Sequence, residues 1–224
     1  MTPIHRHLCL IAALLLLLPP VSAEDGGKEG VIQCANLIFA GVQTSRCFSD
    51  DFLSVVQQQT GIPIARRFKS VKLDSPELFD FPFIMMTGEK KFALSKTERD
   101  NLRTYLDKGG FLVASAGCSS KDFDQSFRRE LNVLFDEEDA RLKPIEMDHP
   151  LFRTVYTIES IDLKNPRGGV KLSGLSRNGK MVVVYSPEGL NDTANTEGCC
   201  CCGGNEVNNA SQILVNIFTY ALLY

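Results

Sequence analysis

The segment FPFIMMTGEKKFALSKTERDNLRTYLDKGGFLVAS (81–115) constrains the fold more than any other part of the chain. It opens with a short apolar run between Pro82 and Gly88, too short for a helix and typical of a strand buried on both faces. Ser95-Lys-Thr-Glu98 then forms a capping box: the serine oxygen can accept from the N3 amide, and the glutamate can reach back to the cap. The helix it opens carries Leu102, Tyr105 and Leu106 on one face and stops at Gly109-Gly110. A second buried strand, FLVAS (111–115), follows at once. Strand, helix, strand over so short a span implies two parallel strands with the helix packed across them.

The same alternation runs along the rest of the chain. VIQCANLIFA (31–40) reads as a first strand. DDFLSVVQQQTG (50–61) places Phe52, Val55 and Val56 at helical spacing, with Gly61 as the stop. Phe123, Phe127, Leu131 and Leu134 predict a further helix, capped by Ser119 or Ser120, with Asp122 and Asp124 in its first turn. MVVVYS (181–186) is a strand, and Asn178-Gly179 before it is a hairpin signal. A last helix over 206–222 is apolar nearly all round, with Val207, Ala210, Leu214, Ile217 and Ala221 on one face, which predicts burial. Residues 136–180 are otherwise less regular. The fold expected is an α/β three-layer sandwich with helices on both faces of a largely parallel sheet.

The N-terminus speaks to compartment. Arg6 lies between His5 and His7, an apolar run covers 8–18, Pro19-Pro20 breaks it, and Val-Ser-Ala precedes Glu24. That is the layout of a cleaved signal peptide over 1–23, and the run is shorter than the ~20 residues a spanning helix needs. Residues 24–30 form a polar lead-in, and 31–224 suit one α/β domain. The chain is therefore expected to be exported, periplasmic or secreted, without a membrane span in its mature part. A net charge of −3 with 44% hydrophobic residues argues against a nucleic-acid binder.

Several side chains carry chemistry. Cys118 falls directly after the strand FLVAS and before a helix, where the turn projects a thiol towards a helix N-terminus. His149, in Asp-His-Pro-Leu, is the one imidazole beyond the signal segment; preceding a proline, it also suits an extended turn. Ser119 and Asp122 would line the crevice at the carboxyl ends of the strands, where open α/β sheets bind ligands. Asp124 and Arg128 are spaced for an i,i+4 pair. Seven cysteines follow the signal segment: Cys34, Cys47, Cys118, Cys199, Cys200, Cys201 and Cys202. The contiguous run lacks the C-x₂₋₄-C spacing of a zinc site. In an oxidising compartment the candidates Cys34, Cys47 and Cys199–Cys202 read first as disulfide partners, with metal binding as the competing use. No metal and no cofactor is assigned. Asn191-Asp-Thr and Asn209-Ala-Ser are glycosylation sequons.

The 81–131 stretch, then MDHPLF, VVVYSPEGL, a cysteine-bearing loop and NIFTYALLY resemble the domain-of-unknown-function family 4159. The family is similar to class I glutamine amidotransferases. The resemblance implies a flavodoxin-like sandwich and a mostly bacterial, often exported setting, with no established reaction. In the amidotransferase-like pattern the nucleophile lies in Gly-x-Cys-x-Gly and is paired with His-Pro-Glu. Here Ala116 and Ser120 flank Cys118, and Leu151 follows His149-Pro150. The expected function is a non-catalytic binding or assembly module for a protein or small-molecule partner in the cell envelope. The alternatives are a Cys118-dependent hydrolase or amidotransferase-like enzyme, and a metal-binding or thiol redox module built on Cys199–Cys202.

Overall fold

The computed structural model describes residues 30–43, 49–135, 141–165, 171–190 and 205–224. Within them lies one eight-stranded sheet. Five strands run parallel: β1 (Ala35–Phe39), β3 (Lys69–Lys72), β4 (Phe83–Gly88), β5 (Phe111–Ala116) and β8 (Lys180–Ser186). They stand side by side as β3-β1-β4-β5-β8. β2 (Val42–Gln43) turns back along β1. At the other edge β7 (Ser173–Arg177) is antiparallel to β8, and β6 (Lys143–Pro144) is antiparallel to β7. The chain is thus an α/β protein with a mostly parallel mixed sheet.

Two cores explain the sequence pattern. On one face, α2 (Lys96–Asp107) and α3 (Lys121–Leu134) lay Leu102, Leu106, Phe123 and Phe127 over Leu37, Met86, Ala114 and Tyr185. On the other, α1 (Asp51–Thr60) and α4 (Ala210–Leu223) lay Phe52, Val56, Ile213 and Phe218 over Cys34, Met85, Val113 and Val184. β4 and β5 are covered on both sides, which is why they read as unbroken apolar runs. Each fully buried Leu, Ile, Val, Met or Phe among them contributes about 1.5–3 kcal/mol. Aromatic pairs add contact, with Phe127 stacked on Tyr185 at 4.6 Å and Phe83 edge-on to Phe218 at 5.0 Å.

The local signals act as expected. Ser95 Oγ accepts from the Glu98 amide at 3.2 Å, and Glu98 Oε2 accepts from the Ser95 amide at 2.7 Å. Glu98 Oε1 also accepts from the Ala40 amide at 2.6 Å, so the box fastens α2 to the left-handed turn that closes β1. Ser120, not Ser119, caps α3. Asn178 (φ 50°) and Gly179 (φ 77°) form the two-residue left-handed turn between β7 and β8.

Some elements differ from the sequence reading. β3, sequence KSVK, buries only Val71 and lay hidden because an edge strand needs one apolar contact rather than an alternating run. Its lysines, like Lys143-Pro144 at the opposite edge, discourage further strand pairing. β1 begins at Ala35 rather than at Val31; Ile32 makes only an isolated bridge to Ile64. α4 begins at Ala210 rather than near 206, because Glu206 and Val207 bridge Gly189 and Leu163 and so cannot be helical. Among the described residues, no helix is long and apolar enough to cross a membrane.

Candidate functional site

The parallel strands end together, and there the chemistry-bearing residues collect. After β5 the chain makes a tight turn in which two consecutive non-glycine residues are left-handed, Cys118 (φ 52°, ψ 32°) and Ser119 (φ 55°). Such residues carry a conformational cost and persist only where the surroundings impose it. The surroundings here are visible. The Ser119 hydroxyl is shared between the Glu188 carboxylate and the Asn205 carbonyl (3.0 Å), and it accepts from the Asn205 amide at 2.8 Å. The Asn205 side chain, fully buried, brackets Asn165 with bonds of 2.8 and 3.0 Å. Ser120 Oγ donates to the Glu89 carbonyl. Gly189 lies against this knot so closely that a Cβ would meet the Asn205 carbonyl oxygen at 3.3 Å.

Cys118 Sγ points at the Glu89 carboxylate, 3.7 Å away. Asp122 is exposed on the first turn of α3, beside the same rim. Ser119 and Asp122 are therefore at the carboxyl-end crevice, although Ser119 is spent on structural bonds. Asp124 faces inward: it pairs with Arg128 at 2.8 Å and accepts from the buried Tyr185 hydroxyl at 2.7 Å. Burial, and then the Asp124 carboxylate, push the Tyr185 pKa upward.

His149 is elsewhere. It caps the short 3-10 turn Pro150–Arg153, its Nδ1 accepting from the Leu151 amide at 3.2 Å, and its ring packs on Tyr220 at 5.4 Å. It lines an open recess of about 380 Å³ with Arg141, Lys143, Glu146 and Met181. Met181 lies near the amino-terminal end of β8, whereas Cys118 stands beyond the carboxyl ends of β4, β5 and β8. The fold sets thiol and imidazole at opposite ends of the sheet. Partial burial lowers the His149 pKa, against the opposing pull of Asp148.

Of the cysteines, Cys34 is a free thiol sealed in the α1–α4 core, where burial pushes its pKa up to about 12. Cys47 and Cys199–Cys202 lie outside the described residues, as do residues 1–23, expected to be a signal peptide, and the sequon at Asn191. The Asn209 carboxamide is tied to Ser160 (2.9 Å) and Asp162 (3.1 Å) at the start of α4. Among the described residues, no cluster of three or more His, Cys, Asp or Glu suits a metal ion.

Sequence reasoning missed Glu89, Glu188 and Asn205, which complete the site. It also missed a polar line. Thr87, Ser115 and Ser186 are neighbours across β4, β5 and β8, all fully buried. The signal was present: IMMT, LVAS and VVYS each end an apolar run on a small hydroxyl residue. Among the described residues, hydroxyls and carboxylates surround the half-buried thiol and offer hydrogen-bond acceptors to a ligand, and His149 lies at the other end of the sheet.

The sequence model of a domain of unknown function, DUF4159, matches residues 41–222. Among curated proteins, none matches the chain.

Proposed function

The chain belongs to the DUF4159 family, and on that footing we propose that it is an exported, non-catalytic binding or assembly module whose ligand or partner engages the carboxyl ends of the parallel strands. The observation that carries this reading is the separation of Cys118 from His149 by the length of the sheet, with a carboxylate beside the thiol instead. A thiol nucleophile needs a base within hydrogen-bond reach. The strand order supports a flavodoxin-like, amidotransferase-like architecture: numbered along the chain, the five parallel strands stand as 2-1-3-4-5. In such sheets ligands bind at the carboxyl edge.

The signal-peptide pattern supports export, and mass spectrometry of protein from its native host tests it by locating the first residue near Glu24. In an oxidising setting the run Cys199–Cys202 serves as cross-links to cysteines distant in sequence. Cys47 is the better partner, since Cys34 is sealed in the core. Non-reducing peptide mapping tests this; free thiols with stoichiometric zinc or iron would favour the metal reading instead.

A second reading, thiol chemistry at Cys118, draws on the left-handed backbone at that residue, which resembles a nucleophile turn. Site-resolved alkylation separates the two readings. A binding module leaves Cys118 slow to react at mildly acidic pH, and an enzyme does not.

A further inference from the structure

The recess beside His149 stands at the far end of the sheet from Cys118 and is built on the antiparallel edge, β6 to β8. Its floor is apolar: Ile145, just past β6, and Met181, on β8, flank Gly174 on β7. Glycine inside a strand weakens it and marks places where something comes close to the backbone. A Cβ on Gly174 would stand 2.8 Å from Met181 Cε and 3.2 Å from Ile145 Cγ1, so the bare backbone is what lets these side chains meet over it. A bulge follows at once. The register slips between Leu175 and Ser176, which sets Met181 rather than Val182 opposite Ser176. Gly174, Ser176 and Met181 thereby share one face, and all three line the recess.

The rim is charged, and among the described residues the charges do not cancel. Glu146 gives both carboxylate oxygens to Lys171, at 2.9 and 2.7 Å. Arg141 Nη1 donates to the neutral Asn132 carboxamide at 2.6 Å, which orients the guanidinium without neutralising it. Arg153 donates to the Asp148 carbonyl oxygen at 3.1 Å. His149 accepts through Nδ1 from the Leu151 amide, so its ring is neutral there. Even with Lys143 left out, the cations Arg141, Arg153 and Lys171 stand against the carboxylates Glu146 and Asp148, an excess of one positive charge. At about 380 Å³ the recess is at the small end of ligand sites, which run to about 300–1,000 Å³.

We propose that this recess is a second binding site, for a small monocarboxylate with an apolar body. The body rests on Ile145, Gly174 and Met181, which lose water-exposed apolar surface on binding. Arg141 supplies the counter-charge, and the Ser176 hydroxyl can donate to the carboxylate. The site is independent of the carboxyl-edge reading, and its failure leaves that reading untouched.

The test is NMR titration of the full chain with hexanoate, hexanol and hexylammonium, read at the backbone amides of Ile145, Gly174, Ser176 and Met181. Hexanoate is expected to give saturable shifts there, with an affinity about fivefold above that of hexanol, as one exposed charge pair allows, and hexylammonium is expected to bind weakest. Arg141→Gln should bring hexanoate down to the level of hexanol and leave hexanol unchanged. Gly174→Ala, which pushes the Met181 methyl into the recess, should weaken hexanoate and hexanol together. Three results would overturn the proposal: hexanoate shifts that do not saturate at these amides, hexanol or hexylammonium binding as tightly as hexanoate, or a preference for hexanoate that survives Arg141→Gln. If either variant melts early, the three-probe comparison on the wild type decides alone.

Discussion

The carboxyl end of the sheet has two halves, and they are finished differently. Over β5 and β8 every buried hydroxyl is bonded: Ser115 to Leu190, Ser186 to Glu188, and Ser119 to Asn205 and Glu188. On β4, Thr87 Oγ1 bonds to no group among the described residues, and neither does Asn36 Oδ1, two residues deeper on β1. Hydroxyl groups in one layer, Ser115 and Thr87, are thus finished differently. One half spends its polar groups on holding a strained turn in place, and the other leaves them without a partner among the described residues, which costs stability.

The comparison is broken most sharply by making one kind of change in both halves. Ser115→Val leaves the Leu190 amide buried without a partner and is expected to destabilise by about 1–3 kcal/mol. Thr87→Val, at the register partner of Ser115 on the adjacent strand, is expected to be neutral or slightly stabilising, because it removes an unmet group. Denaturant unfolding of the two variants measures the contrast; equal losses would erase the distinction between the halves. Ser119→Ala comes next, at about 1 kcal/mol, with the turn around Cys118 loosened. Hydrogen exchange at Asn205 and Gly189 should rise in that variant and stay unchanged in Thr87→Val.

The reason the two halves were unequally legible in sequence is physical. Strand identity depends on local periodicity and caps, so β4, β5 and β8 and the Ser95–Glu98 box were readable from residues a few positions apart. The Cys118 turn was readable for the same reason, lying between a strand and a capped helix. Glu188 and Asn205 were not, since each matters through a bond to Ser119 made across 69 and 86 residues. The unmet bonds of Asn36 and Thr87 are harder still: a partner's absence depends on register between strands and leaves no trace in either segment. β3 escaped because KSVK looks like solvated loop until an edge needs closing.

The smallest expected effect concerns the opposite end of the molecule. His149 caps its turn through an unprotonated Nδ1, and burial lowers its pKa. As pH falls through the ordinary histidine range, the unfolded chain takes up a proton before folded His149 does, so stability declines on acidification. His149→Asn keeps an acceptor at the cap and should flatten this part of the slope, seen as the wild-type-minus-variant difference in denaturant midpoint between neutral and mildly acidic pH. A variant slope equal to that of the wild type would mean the imidazole does not sense folding.

The claim beneath the comparison is that the Cys118 corner is a structural and binding edge rather than a catalytic one. The most direct measurement is the rate of iodoacetamide modification at Cys118 in the folded chain, resolved by peptide mass spectrometry at mildly acidic pH, with and without His149→Ala. The account expects modification about tenfold or more slower than that of a free cysteine, and no change on removing the imidazole at the other end of the sheet. Fast, selective modification that slows when His149 is replaced would contradict it, because thiol and imidazole would then be acting as one device.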